Sequence, residues 1–138
     1  GGEMPGHIMY ADDYPGYDDG LYAAVRLIRA ATSLGRSITA LRDAMPDLPA
    51  TPELRFPVAE TRKFALVDEI AKRLRAVGAR IDETDGARVT TDDGWWLLRA
   101  SNTQAELVGR AEARDRAGLD RLLDALYSQL RESGVTDA

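Results

Sequence analysis

Apolar residues recur at helical spacing in the first third of the chain. A helix is predicted over 21–34, because one of its faces would carry only apolar side chains. These are Leu21, Ala24, Val25, Ile28 and Ala31. Asp18 or Asp19 can cap its first turn, and Gly35 is placed to end it. Ser37 opens a shorter predicted helix that extends to Met45.

Beyond residue 52 the pattern alternates between strands and helices. Predicted strands cover 53–58, 80–84, 87–91, 95–99 and 106–113. Predicted helices start at Thr61 and at about Ala117 and end at Gly78 and Gly134. Their expected apolar stripes are Phe64, Val67, Ile70, Ala71, Leu74 and Val77 in the first, and Leu119, Leu122, Leu123, Leu126, Tyr127 and Leu130 in the second. The order β-α-β-β-β-β-α therefore predicts an α+β domain.

Turn residues define the expected sheet. Asp85-Gly86 and Asp93-Gly94 each stand between two extended runs, which predicts two hairpins and a three-stranded meander. Pro57 favours an edge position for the strand over 53–58. One antiparallel sheet with both helices on one face is the economical packing for these elements.

The remaining segments predict how the chain is divided. His7 to Tyr10 is a short apolar run that we expect to find no strand partner within its own segment. Pro46, Pro49 and Pro52 fall within seven residues and predict a linker over 46–52. We therefore expect an incomplete unit over 1–45 and a unit over 53–138 that folds by itself.

Composition narrows the functional classes. The 138 residues carry 18 basic and 23 acidic side chains, for a net charge of −5, which disfavours a nucleic-acid partner. No apolar run approaches the roughly 18 residues of a membrane span, and no signal peptide opens the chain. Without cysteine there is no disulfide, thiol nucleophile or cysteine metal site, so we expect a cytoplasmic protein. The chain begins with Gly1, which suggests a fragment or a processed chain.

Candidate chemistry lies first in the connection between the last two strands. It runs Arg99-Ala100-Ser101-Asn102-Thr103-Gln104, and Arg110 follows one strand later. A guanidinium suits phosphate, and short hydroxyl and amide side chains add donors. Backbone amides in a tight turn can add a concave anion site. The alternative is that Ser-Asn-Thr is ordinary turn chemistry, in which these side chains bond their own backbone.

The opening segment carries groups that suit sugar hydroxyls. Glu3 and His7 flank a short glycine-containing turn. A carboxylate accepts hydrogen bonds and an imidazole donates or accepts them, so the pair suits neighbouring sugar hydroxyls. The alternative is an exposed, poorly ordered terminus.

Both segments resemble loops of the α-D-phosphohexomutase superfamily, and more narrowly of its bacterial phosphomannomutase/phosphoglucomutase branch. Gly2-Glu3-Met4-Pro5-Gly6-His7 is similar to the sugar-binding loop GEMSGH, and Tyr17-Asp18-Asp19-Gly20-Leu21-Tyr22 to the stretch that follows it. Arg99-Ala100-Ser101-Asn102-Thr103 is similar to the phosphate-binding loop of the family's C-terminal domain. The order and separation of these segments also match.

The resemblance implies a fold and a role. Family members have four domains, so 1–45 would be the end of the third, and 53–138 the fourth, with a TATA-binding-protein-like topology. They interconvert hexose 1-phosphate and hexose 6-phosphate through a hexose bisphosphate. Glu3 and His7 would contact sugar hydroxyls. Arg99, Ser101, Asn102 and Thr103, with Arg110 as a further candidate, would hold the phosphate that is not reacting. The partners are then a hexose phosphate and the remaining domains.

The resemblance also implies what this chain lacks. The family's phosphoserine loop and its Mg²⁺-binding aspartate loop have no counterpart here, so no catalytic or metal-ligating residue is predicted and the chain alone should be inactive. The aspartates at 12, 13, 18 and 19 do not have the metal-loop spacing and are predicted to be solvated acids and a helix cap.

Two residues bear on the substrate, and a second function stays open. Pro5 stands where the family usually has serine, which removes a hydroxyl and stiffens the loop. Met4 favours the mannose/glucose branch. The alternative from another class is a non-catalytic module that keeps the fold to bind a phosphorylated ligand or a protein. A third hypothesis is a plain α+β domain in which the motif spacing is coincidence.

Overall fold

The chain forms two compact units, Gly1–Pro46 and Asp47–Ala138. The computed structural model describes residues 1–3 and 6–135, so the predictions on Met4 and Pro5 lie outside the described residues. None of the helices in this described part is long and apolar enough to span a bilayer.

The first unit contains two helices, α1 (Gly20–Leu34) and α2 (Ile38–Asp43). Asp19 caps α1 by accepting a hydrogen bond from the Tyr22 N–H, and Gly35 ends it at φ 62°. Ser37 caps α2 in the same way. These are the predicted boundaries and caps to within two residues.

The expectation of an unpartnered run over His7–Tyr10 is wrong. Ile8 forms an antiparallel bridge with Gly2, and Met9 forms one with Asp18. The chain reverses at Gly6, whose φ is 96° and whose N–H donates to the Glu3 carbonyl at 3.0 Å. The left-handed glycine makes this local pairing possible.

The second unit is a five-stranded antiparallel sheet with two helices. Its strands are β1 (Leu54–Pro57), β2 (Ile81–Asp82), β3 (Ala87–Thr90), β4 (Gly94–Ala100) and β5 (Glu106–Ala113), in the spatial order β1-β5-β4-β3-β2. The helices are α3 (Lys63–Ala76) and α4 (Arg116–Glu132). The predicted α+β order, both hairpins and the edge position of Pro57 are confirmed.

Alternate residues of the strands bury one face of the sheet against both helices. The core includes Trp96 and Leu98 of β4, Leu107 and Ala111 of β5, and apolar residues of both helices. Trp96 lies opposite Ala111, and Leu98 opposite Gly109, so small residues make room for large ones across the ladder. Burial of these side chains is the main stabilising contribution.

The predicted apolar stripe of α3 is confirmed at Val67, Ile70, Ala71 and Leu74 and is wrong at its two ends. Phe64 is 56% exposed and Val77 is 77% exposed, whereas Lys63 and Leu66 are buried. Thr61 does not cap it, because the helix begins after Arg62 with no side-chain capping bond. The buried face therefore follows the spacing of Lys63, Leu66, Val67, Ile70, Ala71 and Leu74.

Two further segments differ from their predictions. β2 ends at Asp82 and not at Thr84, because the Asp82 carboxylate accepts the Thr84 N–H at 2.8 Å and starts the turn there. Part of the predicted linker is hydrogen-bonded to β5: the Thr51 N–H donates to the Ala111 carbonyl at 2.9 Å, and the Ala113 N–H donates to the Pro49 carbonyl at 2.9 Å. Residues 49–51 thus lie along β5 as part of the second unit.

Candidate functional site

The connection from β4 to β5 (101–105, the β4–β5 loop) is shaped by Ser101. The Ser101 N–H donates to the Glu106 carbonyl at 3.0 Å, which continues the ladder into the turn. Its side-chain oxygen is buried and accepts the N–H of Gln104 at 3.1 Å and of Thr103 at 3.4 Å. Asn102 and Thr103 are left exposed at the tip. The hydroxyl therefore organises the turn, while the tip side chains can reach a ligand.

This geometry changes the expected role of the backbone. Two of the amides that could have formed a concave anion site, those of Thr103 and Gln104, are used by Ser101. The turn-chemistry alternative is thus partly correct for Ser101. Its hydroxyl hydrogen still has donor capacity, because a hydroxyl accepts and donates at once.

Arg99 lies at the end of β4 on the sheet face opposite the helices. Its side chain is 32% exposed, and its Nε lies 3.8 Å from the Asp85 carboxylate. The turn that carries Asp85 approaches the backbone closely, since a Cβ at Gly86 would lie 2.6 Å from the Arg99 Cβ. The Asp85-Gly86 turn therefore supports Arg99 from the side of β3.

Arg110 lies on the same face as Arg99. In the register of β4 and β5, Arg99 is opposite Val108, and Leu97 is opposite Arg110. Because residues two apart on a strand share a face, the two arginines are diagonal neighbours on adjacent strands. The second unit thus places Arg99 next to the loop residues Ser101, Asn102 and Thr103, and it places Arg110 beside Arg99, opposite the middle of β4.

Glu3 and His7 lie in the first unit, at the N-terminal turn. The Glu3 N–H donates to the His7 carbonyl at 2.9 Å, so the two backbones are held side by side. His7 Nδ1 lies 2.5 Å from the Asp18 carboxylate. This hydrogen bond, followed by the charge of Asp18, raises the pKa of His7 above its ordinary value. Glu3 raises it further.

Known proteins with similar sequences decide the family. The family described as "Phosphoglucomutase/phosphomannomutase, C-terminal domain" matches residues 53–129, and its "alpha/beta/alpha domain III" matches residues 1–48. This chain belongs to the phosphoglucomutase/phosphomannomutase family. The resemblance inferred from the two loops is confirmed.

Individual relatives agree with this assignment. The phosphomannomutase/phosphoglucomutase of Pseudomonas syringae is 34% identical over 95% of this chain, and that of Pseudomonas putida is 38% identical over 94%. A crystal structure of a phosphoglucomutase/phosphomannomutase family protein from Burkholderia thailandensis superposes with a TM-score of 0.81 at 33% identity over 98% of this chain. The chain spans only 28% of the length of both Pseudomonas proteins and 29% of the Burkholderia one.

Family members are generally Mg²⁺-dependent, but the described residues do not fit a metal. Among residues 1–3 and 6–135 there is no group of three or more histidine or acidic side chains that could hold one. Asp12 pairs with Arg26, with oxygen–nitrogen distances of 2.8 and 3.1 Å, and this lowers its pKa to about 2. The Tyr14 hydroxyl donates to Asp19, which is already the cap of α1.

These contacts correct the prediction for the aspartates. Asp19 is a helix cap as expected, but Asp12 and Asp18 are not simply solvated acids. Asp18 orients His7, and Asp12 orients Arg26. A signal for the first pair was available, because the only histidine of the chain and the Asp18-Asp19 pair flank the same turn-rich segment.

Sequence reasoning also missed two cations beside the β4–β5 loop. The Lys63 Nζ donates to the Gln104 carbonyl at 3.1 Å, and Arg55 donates to the Gln104 side chain at 2.8 Å. Arg55 also pairs with Glu106. No sequence pattern links these residues to a loop more than 40 positions away. Lys63 also lies outside the apolar stripe predicted for α3, so no pattern in the sequence indicates that it is buried.

The His7–Asp18 pair predicts a pH-dependent interaction. The NMR titration of His7, the single histidine, should give a pKa above 6.5, and Asp18→Asn should bring it back toward 6.5. Because the folded-state pKa is raised, the pair's contribution to stability should be complete below about pH 6.5 and be lost as pH rises through that raised pKa. Asp13→Asn, a nearby exposed carboxylate, is the control. An unchanged His7 pKa in Asp18→Asn would contradict the pairing.

Proposed function

We propose that this chain is the C-terminal, substrate-binding part of a longer phosphohexomutase that interconverts hexose 1-phosphate and hexose 6-phosphate. The observation that carries the proposal is the β4–β5 loop, where Arg99 is followed by exposed Asn102 and Thr103, with Arg110 diagonal to Arg99 on the neighbouring strand. Membership of the family and the coverage of 28% of its Pseudomonas relatives support it. Residues 1–45 are then the end of a third domain, 46–52 a connection and 53–138 the fourth domain.

The role of the loop follows from its chemistry. A guanidinium offers a planar fork of donors that matches phosphate oxygens in a bidentate manner. Asn102 and Thr103 can add one donor each, and the Ser101 hydroxyl a third. Such a site recognises the phosphate group without regard to the carbon that bears it. It can therefore hold either end of a hexose bisphosphate.

Holding the non-reacting phosphate contributes to the rate through positioning. Binding energy from a remote part of the substrate fixes the reacting end in line with its partner group. The acidic chain as a whole would repel a phosphate, so the attraction must come from a local concentration of arginines. Arg99 and Arg55 both lie opposite Val108, near the end of the sheet where β4 and β5 meet the turn, and Arg110 lies two residues farther from the turn on β5.

Glu3 and His7 are proposed to bind sugar hydroxyls. Because Asp18 holds Nδ1 of His7, its other ring nitrogen is available to face a hydroxyl. A raised pKa favours the protonated ring, in which that nitrogen is a donor. Glu3 is an acceptor for a neighbouring hydroxyl. The group that transfers the phosphoryl, and the Mg²⁺ that assists it, would be held by other parts of the longer protein.

A ligand titration tests this proposal on the chain itself. We expect glucose 6-phosphate and glucose 1-phosphate to move the same amide NMR signals, those of residues 99–104, with comparable affinities. Glucose at equal concentration should leave these signals unmoved, because the loop recognises the phosphate. Equal responses to glucose and to its phosphates, or no response of the loop to either phosphate, would contradict the proposal.

A further inference from the structure

Lys63 is a buried lysine beneath the β4–β5 loop. It is the first residue of α3, and its side chain is only 2% exposed. Its Nζ lies 3.1 Å from the Gln104 carbonyl oxygen and 2.7 Å from a Glu60 carboxylate oxygen. The Nζ also lies 5.3 Å from the centre of the Phe64 ring. The other lysine of the chain, Lys72, is exposed on the same helix.

The position of Lys63 is unfavourable for fold stability. An ammonium group removed from water loses hydration that a single ion pair and hydrogen bond replace only in part. It also sits in the first turn of a helix, where the backbone dipole favours negative charge. The rest of the buried face of α3 consists of apolar residues, so an apolar side chain would suit the packing here. The fold alone gives no reason for a lysine.

The contacts of Gln104 supply that reason. Its N–H is held by the Ser101 hydroxyl, and its carbonyl oxygen accepts from both Lys63 and the Glu106 N–H, the latter at 2.9 Å. Both backbone groups at the end of the β4–β5 loop are therefore fixed. Lys63 is the contact that ties this loop to α3, an element outside the hairpin.

We propose that Lys63 is a positioning residue for the phosphate site, an inference that rests on the proposed function of the loop. Its ammonium fixes the Gln104 backbone and so holds Asn102 and Thr103 in the arrangement that meets a phosphate monoester. Because the Glu60 carboxylate at 2.7 Å compensates its charge, Lys63 acts on the loop through the hydrogen bond to Gln104. Lys63 does not itself contact the ligand.

Substitution of Lys63 by methionine separates positioning from stability. Methionine keeps the unbranched shape, is one atom shorter, and removes the charge and the donor. The exposed Glu60 is left in water, so the variant should fold with an unfolding temperature equal to or above that of the unchanged chain. Its dissociation constant for glucose 6-phosphate should rise about tenfold, the scale of one lost hydrogen bond to a charged group. Lys72→Met should change neither quantity.

Two further variants complete the test. Lys63→Arg keeps the charge and a donor and should recover most of the affinity, and Arg99→Ala should weaken binding whether or not Lys63 matters. Lys63→Met protein that binds as tightly as the unchanged chain, while Arg99→Ala binds weakly, would overturn the positioning role. Lower thermal stability with unchanged affinity would overturn it as well. If Arg99→Ala also binds normally, the proposed function of the loop fails instead.

Discussion

Replacing Gly86 by alanine is expected to destabilise the second unit by about 3 kcal/mol, because the position excludes a side chain in two ways. Its φ is 84°, and a Cβ there would lie 2.4 Å from the Leu98 carbonyl oxygen and 2.6 Å from the Arg99 Cβ. Both neighbours belong to β4 and cannot swing away as a flexible side chain would. The free energy of unfolding is measured by urea denaturation, with tryptophan fluorescence of Trp95 and Trp96 as the signal.

Gly78→Ala is the matched control for this experiment. Gly78 has a similar φ of 72°, but no atom lies within 4 Å of its would-be Cβ. Gly78→Ala should lower the free energy of unfolding by about 1 kcal/mol, because it adds only the strain of a positive φ and no steric overlap. The Gly86 variant should in addition bind glucose 6-phosphate more weakly, since the backbone of Arg99 must shift. Equal losses of stability in the two variants would show that the close approach at Gly86 does not exist.

Arg99→Ala is expected to weaken the binding of glucose 6-phosphate by about 30- to 100-fold. Two charge-assisted hydrogen bonds to a phosphate are lost, which is on the order of 2–3 kcal/mol. Stability should change by less than about 1 kcal/mol, because the partner Asp85 is exposed and 3.8 Å away. Isothermal titration calorimetry measures the affinity. The affinity of Arg99→Lys should lie between those of the unchanged chain and of Arg99→Ala, since an ammonium cannot bind a phosphate in a bidentate manner.

Arg88→Ala is the control for the loss of a positive charge on this face of the sheet. Arg88 lies on β3, opposite Leu97, and its guanidinium stacks 4.7 Å from the centre of the Trp95 ring. Removing it lowers the net charge equally but leaves the β4–β5 loop intact. We expect an affinity within about twofold of the unchanged chain, because exposed charges at a distance are screened by salt. Similar losses of affinity in Arg88→Ala and Arg99→Ala would indicate that overall charge attracts the ligand and that no specific site binds it.

Local chemistry explains which parts of the fold the sequence predicts well. The two Asp-Gly hairpins, the strand over 106–113 and the glycine that ends α1 all follow from a few neighbouring residues. The ends of the α3 stripe are predicted wrongly, because burial there is decided by the sheet against which the helix packs. A lysine counts as polar in any sequence pattern, yet Lys63 is buried and the aromatic Phe64 is exposed.

In the candidate site too, features set by neighbouring residues are predicted and features set by distant contacts are not. Arg99 and the residues of the β4–β5 loop are contiguous, so a short motif could indicate them. Other contacts of the site join residues that are 11 to 41 positions apart in the sequence. These are Gly86 with Arg99, Lys63 with Gln104, and Asp18 with His7. Strand register and turn geometry bring these pairs together, and only the His7–Asp18 pair leaves a signal in the sequence.

The most direct test of the central claim is a crystal structure of this chain with glucose 1,6-bisphosphate. The account predicts one phosphate with oxygens about 3 Å from the Arg99 guanidinium and from donors of Asn102 or Thr103. Lys63 should remain on the Gln104 carbonyl, out of contact with the ligand. A bisphosphate bound elsewhere, for example beside Arg29 of the first unit, with the β4–β5 loop empty would contradict the account.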